Sequence, residues 1–130
     1  MLAAPFFLSS MRALLDAAPE RAYCWSASQH GEWSMKPRAL TNLELTNFLA
    51  ENADWEPEAK GIARSYAFKD FAAAMAFAVQ IACIAQKEDH HPDLSVSWGK
   101  VRVFWSTHDT GGLSDFDLRL ATASDAAYAG

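Results

Sequence analysis

Apolar residues recur at helical spacing in the stretch that follows Asp70. Aspartate is a favoured N-cap residue, so Asp70 predicts the start of a helix over residues 71–87. Seven residues share its predicted apolar face: Phe71, Ala74, Met75, Ala78, Ile81, Ala82 and Ala85. Phe77 and Ile84 lie away from that face. A helix with apolar residues on two sides needs two partners, which indicates either deep burial in its own core or a contact between subunits.

Two shorter helices are predicted from capping sequences. Thr41 and Glu44 match a capping box, in which the hydroxyl and the carboxylate each satisfy a free backbone N–H. Ser114 and Asp117 stand in the same relation at the start of the last helix. Alternation with period two, and a break at Gly99-Lys100, predict two β-hairpins.

These patterns predict one α+β domain, with three helices packed on one face of a four-stranded antiparallel sheet. The predicted order α-β-β-α-β-β-α has these approximate bounds: 42–52, 54–58, 62–69, 71–87, 95–98, 101–107 and 115–128. Residues 40–130 form the predicted domain, and residues 1–39 are predicted to be an extension outside it. Within that extension we expect a short apolar helix over 1–18, a loop over 26–37 and an exposed His30.

Composition narrows the class of protein. A chain of 130 residues that is 51% hydrophobic is expected to fold as one globular domain. The net charge of −5 argues against a nucleic-acid binder. No apolar run approaches the roughly 20 residues of a membrane span, so we expect a cytoplasmic protein without a membrane partner.

Three of the four histidines, His90, His91 and His108, fall between Gln86 and Asp117. Imidazole has an unperturbed pKa of about 6.5, so it can give and take protons near neutral pH. Asp89, Asp109 and Asp117 are available to orient these rings. The tryptophans at 55, 98 and 105 offer flat apolar surfaces, although the last of them also fits a core position.

Three kinds of site are consistent with this cluster. A metal site is the weakest, because adjacent histidines diverge by about 100° on a helix and point to opposite faces of a strand. A structural role is possible, since a helix C-terminus favours histidine. The third is an acid/base site that uses neither metal nor cofactor, in which one imidazole protonates a leaving group while another group accepts a proton. For Asp117 itself, holding an imidazole and capping the last helix remain equally open.

The cluster belongs to a longer spaced set, in chain order: Asp89-His90-His91-Pro92, Trp98 after five residues, His108 after nine more and Asp117 after eight more. This spacing resembles the signature of the pterin-4a-carbinolamine dehydratase family. Residues 66–71, 106–108 and 112–114 and Trp55 are also similar to the family. The resemblance covers about residues 40–128. One position departs from the signature, because Gln86 stands where a charged residue is usual.

The resemblance implies a substrate, a reaction and a set of roles. The substrate is a 4a-hydroxytetrahydropterin, and the elimination of water gives a quinonoid dihydropterin, without metal or cofactor. His90 and His108 are expected to be the general acid/base groups, and His91 is expected to bind and polarise the pterin. Six further residues are expected to contact the substrate: Asp89, Ser106, Thr107, Asp109, Trp55 and Asp117.

The resemblance also implies partners. Members of the family form dimers by pairing their sheets edge to edge, and some form tetramers through the long helix, so a homodimer or homotetramer is expected. Some relatives are dimerisation cofactors for a transcription factor or assembly factors for a carbon-fixing enzyme. A catalytically weak protein-binding factor is therefore the alternative function, and Gln86 and the N-terminal extension favour it modestly.

Overall fold

A computed structural model describes residues 36–130, and this part of the chain contains three helices and four strands. In chain order they are α1 Asn42–Glu51, β1 Glu56–Glu58, β2 Gly61–Ala67, α2 Phe71–Glu88, β3 Asp93–Ser97, β4 Lys100–Ser106 and α3 Asp115–Ala129. The predicted order is confirmed. The predictions of a short helix over residues 1–18 and of an exposed His30 lie outside the described residues. None of the helices within residues 36–130 has the length and apolar character needed to cross a bilayer.

The four strands form one antiparallel sheet in the order β1-β2-β4-β3. The long strands β2 and β4 lie at its centre, where Ile62 is opposite Trp105 and Tyr66 is opposite Val101. Helices α2 and α3 cover one face of this sheet. The predicted α+β class is therefore confirmed.

The core lies between the sheet and the helices. Alternate residues of β4 point into it, because successive side chains of a strand face opposite sides of the sheet, and Val101, Val103 and Trp105 have no exposed surface. From α1, three residues pack against the edge of this core: Leu45, Phe48 and Leu49. The capping box that precedes α1 is present, with Thr41 and Glu44 satisfying each other's backbone N–H.

The predicted buried face of α2 was wrong in part. The residues that α2 buries are Ala74, Phe77, Ala78, Ile81 and Ala85. Phe71 is 50% exposed and Met75 is 40% exposed, whereas Phe77 is only 3% exposed. Phe77 belongs in the core because its ring packs against Tyr66 at 4.7 Å and Phe68 at 5.1 Å between ring centroids. An alanine-rich helix permits several apolar stripes, so the choice among them depends on the tertiary contacts of its large side chains.

The turn of the second hairpin also differs by one residue from the prediction. It consists of Trp98 and Gly99, and Lys100 pairs with Ser97. Gly99 has a φ of +68°, and a Cβ atom there would lie 2.9 Å from the carbonyl oxygen of Phe68. The turn is fixed at this position because glycine alone tolerates both the positive φ and the close approach.

Candidate active site

Asp117 is the centre of a buried polar cluster at the start of α3. Its side chain has no exposed surface. One carboxylate oxygen, Oδ2, accepts hydrogen bonds from the backbone N–H of Ser114 at 2.8 Å and from the hydroxyl of Thr107 at 2.6 Å. The other oxygen, Oδ1, lies 2.6 Å from Nε2 of His90. Asp117 therefore has both of the roles that the sequence left open, because it caps the helix and holds an imidazole.

His90 reaches this carboxylate because α2 ends in a Schellman motif. Asp89 adopts the left-handed conformation with a φ of 50°, and the backbone N–H of His90 donates to the carbonyl of Ala85 at 3.1 Å. The helix thus ends at Glu88, one residue beyond the predicted end at residue 87. The reversal turns His90 out of the helix and towards the start of α3.

Aromatic rings fix the plane of the His90 imidazole. The ring stacks on Trp105, with centroids 5.8 Å apart and planes within 10°. Phe116 contacts it edge-on, at 6.0 Å and 88°. The side chain of His90 is only 11% exposed. A ring confined in this way has one orientation relative to Asp117, which is what directional proton transfer requires.

The pairing with Asp117 determines which nitrogen of His90 is available to a ligand. A carboxylate only accepts hydrogen bonds, so Nε2 of His90 must carry the proton that is donated to it. In the neutral ring Nδ1 then carries the lone pair. A carboxylate that accepts the Nε2–H bond also stabilises the imidazolium that forms when Nδ1 takes up a proton.

His91 has a different kind of partner. Its Nε2 atom lies 3.2 Å from Oε1 of Gln86, and both side chains are exposed. Gln86 is the residue that departs from the family signature. The two adjacent histidines therefore contact unlike groups, a buried carboxylate for His90 and an exposed amide for His91.

His108 follows the end of β4 and lines a surface cavity of about 330 Å³. The imidazole is exposed, as is Asp109 in the same turn. Lys60, Asp93, Phe104 and Ser106 are among the other residues that line it. The turn is held by the bridge between Thr107 and Gly112. Of the three clustered histidines, His108 is the one that lines this cavity, whose volume falls in the range of small-molecule sites.

Asp117 joins the two histidine-bearing segments. It binds His90 from one segment and Thr107 from the other, and His108 follows Thr107 directly. The hydroxyl of Thr107 is engaged with Asp117 and, at 2.7 Å, with Ser114, so its side chain supports the site from behind. The hydrogen-bonding groups of Asp89, Ser106 and Asp109 lie on the same two segments.

The structure does not bring Trp55 to the histidines. Its indole is 2% exposed and donates a hydrogen bond to Asp125 at 2.9 Å. Asp125 lies eight positions after Asp117 on α3, which is about 12 Å along the helix. The structure therefore places Trp55 in the core, and not at the substrate site expected for it. Burial of its large apolar ring stabilises the fold. The indole of Trp105, by contrast, does lie beneath His90.

Asp125 is the centre of a second polar cluster on α3. Tyr66 donates to it at 2.5 Å and Arg64 pairs with it at 2.9 Å. Burial, together with the hydrogen bond to Asp125, raises the pKa of the Tyr66 hydroxyl above its ordinary value. This cluster ties the C-terminal half of α3 to the sheet, and it holds no histidine.

Sequence reasoning missed Phe116 as a contact of the site. The only signal was an apolar residue between two aspartates in the first turn of α3. Arg119 stacks over Phe116 at 4.5 Å and pairs with Glu88 at 2.6 Å, so it links the start of α3 to the end of α2. These contacts hold in place the two helix ends that carry His90 and Asp117.

The chain is similar to known proteins of one family. Residues 38–127 match the sequence model of a protein family described as pterin 4 alpha carbinolamine dehydratase. A protein of Rhodospirillum rubrum is 46% identical over 88 residues, which are 66% of this chain and 92% of that protein. A protein of Rhizorhabdus wittichii is 40% identical over 94 residues, which are 71% of this chain and 97% of that one. Both are named "putative pterin-4-alpha-carbinolamine dehydratase". The chain belongs to the pterin-4a-carbinolamine dehydratase family.

A solved structure is similar in fold. The crystal structure of a transcriptional coactivator/pterin dehydratase from Brucella melitensis aligns with a TM-score of 0.66 and 32% sequence identity. The alignment covers 70% of this chain and 99% of that one. The domain described above therefore corresponds to the whole of that relative.

Proposed function

We propose that the protein dehydrates a 4a-hydroxytetrahydropterin to a quinonoid dihydropterin in the cytoplasm and so supports tetrahydropterin recycling. The observation that carries this proposal is the buried pair of His90 and Asp117, in which Nδ1 of the imidazole is left for a ligand. In the reaction the bond between C4a and the hydroxyl oxygen breaks, and that oxygen takes up a proton and leaves as water. N5 loses its proton, and the electron pair of the N–H bond forms the C4a=N5 bond. No electrons are gained or lost overall.

The reaction needs one group that gives a proton to the leaving hydroxyl and one that takes the proton from N5. His90, supported by the Asp117 carboxylate, is suited to hold a proton at Nδ1 and to exchange it with the substrate. His108 lines the cavity of about 330 Å³ and has an exposed ring that a ligand can reach. We assign the general acid and general base roles to these two histidines. Each such group typically contributes about 10²–10⁴-fold to a rate.

The substrate is proposed to bind between the two segments that Asp117 joins. His91 contacts the pterin ring, and the edge of the ring is met by polar groups of Asp89, Ser106 and Asp109. A pterin is flat and carries several hydrogen-bond donors and acceptors along its edge. The cavity of about 330 Å³ beside Ser106 and His108 falls in the size range of small-molecule sites.

We also propose that the protein self-associates through α2. Phe71, Met75 and Val79 are spaced four residues apart, and they are 50%, 40% and 56% exposed. Large apolar side chains at this spacing form a continuous stripe on a helix, and a second copy of the same stripe would cover it. A contact between two copies of α2 can form in a homodimer and in a homotetramer.

The test is stopped-flow absorbance of the decay of a 4a-hydroxytetrahydropterin, with wild type compared with His90→Ala. Decay faster than in buffer, which His90→Ala removes, is the expected result. If folded wild type gives no acceleration, the dehydratase function is wrong. In that case the protein-binding alternative would stand, and the description of the Brucella relative as a transcriptional coactivator is the observation that favours it.

A further inference from the structure

The Gln86 side chain is the hydrogen-bonding neighbour of His91. Its Oε1 atom lies 3.2 Å from Nε2 of the imidazole, across five residues of sequence. Gln86 belongs to the last turn of α2, and His91 lies beyond the end of that helix. The sequence shows only that Gln86 differs from the residues usual at this position of the signature. The structure shows that its side chain lies beside His91.

The path of the chain explains why this residue reaches this histidine. With Asp89 in the left-handed conformation, the N–H groups of Asp89 and His90 turn back onto the carbonyls of Gln86 and Ala85. The chain therefore doubles back over the last helical turn, and His91 comes to lie beside Gln86. His90, one residue earlier, is turned away towards Asp117. The position four residues before the first histidine is thus the one that contacts the second.

We propose that Gln86 is a positioning residue for His91, an inference that rests on the proposed function. Its amide oxygen accepts the Nε2–H bond and fixes the direction of the ring. His91 then presents the lone pair of Nδ1 to the substrate, as the acceptor for an N–H group of the pterin edge. A carboxylate at the same position would favour the imidazolium, which has no lone pair and only donates. The neutral amide therefore makes His91 a hydrogen-bond acceptor in substrate binding.

The kinetic test compares Gln86→Leu, which removes the acceptor, with Gln86→Glu, which keeps an oxygen in place. Loss of one neutral hydrogen bond to a binding residue is expected to raise KM about three- to tenfold in Gln86→Leu. Because the proposed proton-transfer residues His90 and His108 are unchanged, kcat is expected to stay within about twofold of the wild-type value. The double variant Gln86→Leu/His91→Ala is expected to have the KM of His91→Ala alone. Gln80→Leu, an exposed glutamine on the same helix, is the matched control.

A second readout does not depend on activity. Long-range ¹H–¹⁵N spectra of the His91 ring report which nitrogen carries the proton. At one fixed pH, the neutral ring of wild type is expected to carry its proton on Nε2, which donates to Gln86, and Gln86→Glu is expected to increase the doubly protonated fraction. Identical His91 spectra in wild type, Gln86→Glu and Gln86→Leu would overturn the positioning role. If the spectra respond but wild type does not accelerate dehydration, the contact stands and the proposed function fails.

Discussion

Nε2 of His90 lies 2.6 Å from Oδ1 of Asp117, and the carboxylate of Asp117 is completely removed from solvent. A buried carboxylate is costly unless its oxygens are hydrogen-bonded, and here the donors come from three separate segments: Ser114, Thr107 and His90. The same group therefore stabilises the start of α3 and orients the proposed acid/base residue. Folding and the proposed chemistry therefore depend on one side chain.

Substituting Asp117 by asparagine separates these two roles only in part. Asp117→Asn keeps one acceptor oxygen but presents an NH₂ group to partners that need an acceptor. We expect turnover of the 4a-hydroxytetrahydropterin to fall about 10²–10⁴-fold, because the orienting carboxylate of His90 is lost. We expect the free energy of unfolding to fall by about 1–3 kcal/mol, since one buried donor loses its partner. Stopped-flow kinetics and urea denaturation measure the two effects.

Asp125→Asn is the matched control for this experiment. Asp125 is on the same helix and also holds three polar side chains, but none of them is a histidine. We expect this variant to lose stability while the rate per folded molecule is retained. Equal loss of rate in both variants would mean that Asp117 acts only through the stability of α3.

His108→Ala tests the second transfer group. The ring of His108 is exposed, so its removal is expected to change the free energy of unfolding by less than about 0.5 kcal/mol. The turnover number is expected to fall about 10²–10⁴-fold. Single-turnover absorbance at saturating substrate separates this loss from weaker binding. Full turnover in the folded variant would remove His108 from the mechanism.

Two phenylalanines of α2 test the corrected orientation of this helix. Phe77→Ala is expected to cost about 3–5 kcal/mol of unfolding free energy, because the ring is 3% exposed and packs against Tyr66 and Phe68. Phe71→Ala, at a site that is 50% exposed, is expected to cost less than about 1 kcal/mol in the monomer. Chemical denaturation at low protein concentration measures both. If Phe71→Ala lowered the unfolding free energy more than Phe77→Ala, the buried face of α2 would be the one that periodicity alone predicted.

Glu44 gives the protein an acid-sensitive contribution to stability. Hydrogen bonds from the Arg38 guanidinium, and then from Thr41, lower the pKa of Glu44 from 4.5 to about 2. Because the folded pKa lies below the unfolded one, this contribution is present above about pH 4.5 and is lost as the pH falls towards 2. The stability difference between wild type and Glu44→Gln should therefore shrink over that range. Glu51→Gln, at the other end of α1, is the control in the same denaturation series.

A charge on the apolar stripe of α2 tests self-association. Val79→Glu places a carboxylate among Phe71 and Met75, where a second copy of the helix would have to bury it. Sedimentation velocity at micromolar concentration is expected to show an oligomer for wild type and a smaller species for this variant. Gln80→Glu adds the same charge next to the stripe and should leave the oligomer intact. A wild-type monomer would contradict the proposal outright.

Local patterns predicted much of the fold because the forces that set it are local. The capping residues Thr41 and Asp70 marked the starts of α1 and α2, since a side-chain oxygen within three residues satisfies the free N–H groups. The alternation along β4 puts Val101, Val103 and Trp105 on one face of the strand, and this face is the buried one. The spaced histidines likewise indicated the family, because their separation in sequence reflects one helix end and one strand end.

The sequence by itself thus determined the order of elements, the class of fold and the set of residues able to do acid/base chemistry, all of which depend on short-range spacing. Only the tertiary structure decided that Asp117 binds His90, that Gln86 binds His91 and that Trp55 is buried beside Asp125. It also decided that Phe77, not Phe71, enters the core. These outcomes depend on which side chains meet after the chain has packed, and burial and hydrogen-bond geometry select among partners that are equally available in the sequence.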